Sequence, residues 1–140
     1  MIKKITQIGD PILRSKSKNI LVKDIQSSKI QKIITDLVDT MKSAQLVGIA
    51  GPQIGVNLNI FVAEIRRTKF RKDLPKDHEL QIFINPTITD YSTSQTMLVE
   101  GCGSIAEADL FGPVKRPSEV KITALDSYGQ KFSSKYSGLY

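Results

Sequence analysis

Tryptophan is absent from the 140 residues, and cysteine and histidine occur once each, as Cys102 and His78. A single cysteine excludes any intramolecular disulfide, which suits a reducing cytosol. No run approaches the length of about 18 apolar residues that a membrane-spanning helix needs. Met1-Ile2-Lys3-Lys4-Ile5 is too short and too charged for a secretory leader, so the chain is expected to stay in the cytoplasm. Acidic residues are in deficit, 14 against 20 Lys+Arg, for a net charge of +6. The densest basic run, Arg66-Arg67-Thr68-Lys69-Phe70-Arg71-Lys72, offers clustered cations to phosphate, ribosomal RNA included. No aromatic platform or helix-turn-helix pattern accompanies it, and such runs are more often solvated loops.

What is present reads as one α+β domain over residues 1–140. Ile30, Ile33, Ile34, Leu37, Val38, Met41 and Ala44 repeat at three and four, which predicts a helix over about 28–44 with Ser27 or Ser28 as its cap. Lys29, Lys32, Asp36, Asp39 and Lys42 fall on the opposite face and are expected outside. Leu58 to Ala63 and Gln81 to Ile84 read as strands, joined by a polar connection that contains Pro75. Asn85-Pro86 is expected to end the second, with Thr87-Ile88-Thr89 and Ser94 to Val99 pairing as short strands after it. Glu119 to Leu125 alternates polar and apolar, turns at Asp126 to Gly129, and returns as Lys131 to Tyr136 in a hairpin.

Two stretches carry chemistry. Val99-Glu100-Gly101-Cys102-Gly103-Ser104-Ile105 sets the lone thiol between glycines that can hold a turn. By itself a single cysteine is more often a packed side chain than a reactive one. Upstream, Leu46-Val47-Gly48-Ile49-Ala50-Gly51-Pro52-Gln53-Ile54-Gly55 is a second glycine-rich stretch, whose backbone allows close approach of a ligand or another segment.

In order and separation the two stretches resemble two of the three motifs of the peptide deformylase family, approximately G-x-G-x-A-A-x-Q and E-G-C-x-S. Ile8-Gly9-Asp10-Pro11-Ile12-Leu13-Arg14, Ile84-Asn85-Pro86 and Val114-Lys115-Arg116-Pro117 extend the likeness over essentially the whole chain. The third motif, H-E-x-x-H, has no counterpart: Ser137-Gly138-Leu139, which in the family leads into its helix, is followed here only by Tyr140. The resemblance therefore implies a peptide deformylase-like α+β fold, antiparallel strands with one N-terminal helix, lacking the central H-E-x-x-H helix and shortened at its C-terminus.

The family removes the N-formyl group from the N-terminal Met of nascent proteins, using Fe2+ or Zn2+ held by the cysteine of the second motif and both histidines of the third. By resemblance Cys102 is the one metal ligand, and Gln53 and the Gly103 backbone N–H are the oxyanion donors. Gly48, Ile49 and Glu100 are the positions expected to meet a formyl-Met peptide, and Glu100 with Arg116 forms an ion pair bracing the cysteine loop. Three positions depart from the pattern: Leu46 replaces a glycine and is expected to narrow the pocket mouth, Gly51 replaces an alanine and removes a methyl from its wall, and Gly103 replaces a leucine. His78, alone in a polar connection, cannot replace two histidines.

Three readings follow. The first is a deformylase-like protein, inactive as 140 residues alone, whose missing helix comes from a second polypeptide or lies beyond the sequence given; the second is a non-catalytic module for peptide N-termini or the ribosome, and the third a truncated product with no retained role. The strand faces left without that helix would favour self-association. One thiolate is far short of the ligand sets that hold catalytic metals, so no cofactor is expected in the isolated chain. Metal analysis of anaerobically purified protein checks this: stoichiometric iron or zinc that disappears in Cys102→Ala would reveal further ligands.

Overall fold

Ser27 opens the single α-helix among the described residues, α1 (Ser28–Ser43), its hydroxyl accepting the Ile30 N–H at 3.3 Å. The computed structural model describes residues 1–72, 77–106 and 109–138. Pro75, Leu139 and Tyr140 lie outside them. Ile30, Ile34, Leu37 and Met41 are buried on the inner face of α1, each such burial being worth about 1.5–3 kcal/mol. The helix ends with Gln45 in the left-handed region at φ 58°, where Gln45 N–H bonds Lys42 C=O at 3.2 Å and Leu46 N–H bonds Met41 C=O at 3.0 Å. That pair of reversed bonds satisfies carbonyls of the last turn and throws Leu46 off the helix toward the glycine-rich stretch.

Seven strands follow among the described residues: β1 (Gly48–Ala50), β2 (Ile60–Ala63), β3 (Gln81–Tyr91), β4 (Gln95–Gly101), β5 (Phe111–Pro117), β6 (Glu119–Leu125) and β7 (Lys131–Ser137). A five-stranded antiparallel sheet runs β1-β2-β3-β6-β7, and β4-β5 forms a separate ribbon. This is the expected α+β arrangement of antiparallel strands with one N-terminal helix. One sheet face, with Ile49, Ile60, Val62 and Ile84, packs in a common core with α1. The other carries Phe83 stacked on Phe61, with ring centres 4.3 Å apart, and met edge-on by Tyr136 at 5.6 Å.

Three expectations change. Asn85-Pro86 does not end β3: the strand runs on to Tyr91 through a register shift between Ile84 and Thr87, and Thr87 pairs with Thr123 of β6 while β4 pairs with β5. A bulge accommodates proline's missing N–H, and Asn85, at φ 51°, uses its side chain instead. Its Oδ1 accepts Ile20 N–H and its Nδ2 donates to Ile20 C=O, both at 2.8 Å, so it acts as a short piece of strand for the N-terminal segment.

Asp36 is not outside. It is 4% exposed, because the N-terminal segment crosses α1 and brings cations to it: the Met1 amine lies 2.7 Å from Oδ1 and Lys3 Nζ 3.5 Å from Oδ2, with Lys32 at 3.1 Å from the preceding turn. Gly51, third, removes no methyl from a pocket wall. A Cβ there would stand 2.8 Å from the carbonyl oxygens of both Val56 and Leu58 and 3.2 Å from Ile60 Cγ2, so glycine is what lets the 50s turn close on itself.

Gly51→Ala should therefore destabilise by about 1–3 kcal/mol through overpacking against backbone, read as a lower midpoint in urea. The Met1 amine, foremost, and Lys32 pull the Asp36 carboxyl down from 3.8 to about 2. A lowered carboxyl stabilises the fold above its unfolded pKa and loses that contribution as pH falls through the folded one. Melting temperature should accordingly drop between about pH 4 and pH 2, and Asp36→Asn should flatten that limb; an identical acid profile in both proteins would show that Asp36 contributes nothing.

Candidate functional site

The glycine-rich stretch becomes β1 and then a 3-10 turn, Gly51–Ile54, that presents Gln53. Gln53 is held from both sides: its backbone C=O accepts Thr6 N–H at 2.9 Å, and its side-chain Oε1 accepts Ala50 N–H at 2.9 Å. With the carbonyl end occupied, the amide Nε2 is left to donate toward Cys102 Sγ at 3.9 Å and Ser104 Oγ at 3.4 Å.

Cys102 comes from the other side, one residue past the end of β4 and exposed. The loop behind it is tied to the N-terminal segment, with Ile8 N–H bonding Ser104 C=O at 2.8 Å and Gln7 Nε2 donating to Gly103 C=O at 3.0 Å. Gly101 admits the Phe111 ring, whose Cε1 would be 2.7 Å from a Cβ built there. Gly103 similarly admits Leu46, with Cδ1 at 2.8 Å.

A chamber of about 170 Å3 results, in which Gly48, Gln53, Cys102, Gly103 and Leu46 meet the aromatic rings of Phe70 and Phe111. The structure thus brings together four of the six candidate site residues. Ile49 is 2% exposed, with its side chain in the core shared with α1, so what it offers a ligand is the backbone of β1, an edge strand of the sheet.

Glu100 lines a neighbouring cavity of about 380 Å3. There it forms the expected ion pair, with Arg116 Nε 3.0 Å from Oε1 and Nη2 2.8 Å from Oε2 across the β4-β5 ribbon. This two-pronged contact holds the Glu100 carboxyl below its usual range and the Arg116 guanidinium above its own. A third cavity, of about 310 Å3, lies over the Phe61, Phe83 and Tyr136 face and shares Val47, Gly48 and Gln53 with the first.

Sequence reasoning did not single out Ser104, Gln7 or Arg71. Ser104 sits in the quoted motif and is 4% exposed beside Gln53, so the motif carried its signal. Gln7 had none, being brought in from a distant segment, and Arg71 was marked only as a member of the basic run. Arg71 donates to Val99 C=O at 3.3 Å and borders both the first and second cavities. Within the basic run, Arg66 pairs with Glu64 at 2.9 Å and donates to Leu46 C=O, while Arg67, Lys69 and Lys72 are exposed.

As a metal centre these residues do not suffice. Cys102 is the one soft donor, and no group of three or more His, Cys, Asp and Glu side chains comes together among the described residues. A catalytic metal needs about three protein ligands, so the donor set does not fit one by itself.

Residues 2–140 match the profile of the polypeptide deformylase family. The chain is 36% identical over 136 residues to a peptide deformylase of Pseudothermotoga lettingae, covering 97% of this chain and 70% of that one. It is 34% identical over 144 residues to the chloroplastic/mitochondrial peptide deformylase 1A of Arabidopsis thaliana, spanning 96% of this chain and 52% of that protein. In fold it superposes on the Met-Ala-Ser-bound class I type b peptide deformylase of Acinetobacter baumannii with a TM-score of 0.93, at 23% identity over 99% of this chain and 86% of the other. No helix among the described residues is long and apolar enough to cross a membrane. A profile matched from the second residue to the last, and a fold that sets Gln53 of the first motif against the one cysteine of the second, place this chain in the polypeptide deformylase family.

Proposed function

We propose that these 140 residues form the peptide-binding and charge-stabilising part of a deformylase site, acting on the formylated N-terminal Met of nascent chains. The observation that carries this reading is the direction of the Gln53 amide, donated toward the Cys102 thiol because Ala50 occupies its other end. A formyl group seated in the chamber would place its oxygen against Gln53 Nε2–H and the Gly103 backbone N–H. Preorganised donors of this kind stabilise the negative charge that grows on a carbonyl oxygen under attack. The edge of β1 at Gly48 and Ile49 would take the peptide backbone, and Glu100, held by Arg116, would keep the ribbon and its cysteine in place.

Nothing among these side chains generates a nucleophile. The family's metal supplies that chemistry when bound, and of its ligands only Cys102 has a counterpart here; the remainder of the set would come from an H-E-x-x-H helix. The three adjoining cavities between sheet and ribbon form a trough where such a helix would lie. The incomplete donor set favours one other reading, a module that holds peptide N-termini without cleaving them.

Formate release from formyl-Met-Ala-Ser separates the two. Turnover should stay at background with the chain alone and rise when an H-E-x-x-H helical peptide and Fe2+ or Zn2+ are added together, and Cys102→Ala or Gln53→Ala should abolish the gain. Peptide binding without turnover in every mixture would establish the binding module. Turnover by the chain alone that survives Cys102→Ala would refute both.

A further inference from the structure

Gly103 is not a glycine for the sake of its backbone, since its φ lies outside the left-handed region where glycine is favoured. The demand is steric and comes from a single neighbour. A Cβ on residue 103 would stand 2.8 Å from Leu46 Cδ1 and 3.5 Å from its Cδ2, with Ile5 Cδ1 farther off at 3.7 Å. Carbon atoms rest about 3.5–4.0 Å apart, so one volume serves either a side chain at 103 or the branched end of Leu46. The Leu46 backbone is anchored beside that volume by the bond from its N–H to Met41 C=O at 3.0 Å, which closes the end of α1. The same side chain lines the Cys102 chamber.

We infer that Leu46 is the size-limiting wall of this chamber and so determines how bulky a group can be seated beside Cys102. Gly103 is the space that lets it stand there. Resting on the formyl-peptide reading above, the wall also sets which first residue a peptide can bring: an unbranched side chain such as Met is admitted and an aromatic one is refused.

Cys102 is the sole cysteine and is exposed, so thiol reagents of graded size measure the chamber without any catalytic activity. Iodoacetamide and pyrenyl-maleimide would be compared on the wild-type chain, Leu46→Ala, Gly103→Leu and the double variant. Leu46→Ala should raise the rate of the bulky reagent relative to the small one by about tenfold, equivalent to about 1.4 kcal/mol. Gly103→Leu should lower the melting temperature and the double variant recover it, the coupling expected of two side chains competing for one space. An unchanged reagent ratio in Leu46→Ala overturns the inference, whether or not Gly103→Leu folds.

Protection of Cys102 by formyl-Met-Ala-Ser and formyl-Phe-Ala-Ser tests the substrate half. The first should protect the wild type and both should protect Leu46→Ala. Protection by neither in any variant sinks the formyl-peptide reading, while the reagent ratio still decides whether Leu46 is the wall.

Discussion

Gln53 is the residue through which the separate parts of this molecule are joined. Its backbone carbonyl holds the N-terminal segment at Thr6, its side-chain carbonyl closes the turn on Ala50, and its amide reaches the loop that follows β4. Each bond alone is worth about 1 kcal/mol, but together they leave the amide one orientation. A donor fixed before a ligand arrives needs no reorganisation when charge develops, which is the property an oxyanion site requires. The tight turn that makes this possible rests in turn on Gly51, where a methyl group would strike two backbone carbonyls.

Space around the cysteine is divided with similar economy. Gly101 is filled from one side by the Phe111 ring and Gly103 from the other by Leu46, so the thiol stands on a loop gripped between two large side chains. Leu46 and Gly103 look in the sequence like two unrelated departures from the family pattern. In three dimensions they meet, because the end of the Leu46 side chain occupies the space that a side chain on residue 103 would need.

Two groups of paired charges fix parts of the fold. The buried Asp36 draws the Met1 amine, Lys3 and Lys32 to itself and thereby straps the N-terminal segment across α1. Glu100 and Arg116 lock the two strands of the ribbon beside the site. A carboxylate covered in this way is unfavourable without such partners, so Asp36 specifies where the first residues must go.

The sequence by itself determined the elements whose causes are local. The apolar spacing from Ile30 to Met41 and the Ser27 cap defined α1, alternation defined the β6-β7 hairpin, and the order of the two glycine-rich motifs singled out Gln53 and Cys102, which the fold brings to 3.9 Å of each other. The Glu100–Arg116 pair was legible for the same reason, since both positions sit in motifs. Tertiary structure alone decided what depends on segments far apart in the chain. Asp36 looked solvent-facing because its partners arrive from the N-terminus, Asn85-Pro86 looked like a strand end because the bulge is stabilised by Ile20, and Gly51 looked like part of a pocket because the Val56 and Leu58 carbonyls that crowd it have no signature of their own. Helical and strand periodicities report which face of an element is apolar, whereas the cations, carbonyls and side-chain volumes that meet that face are set by the path of the rest of the chain.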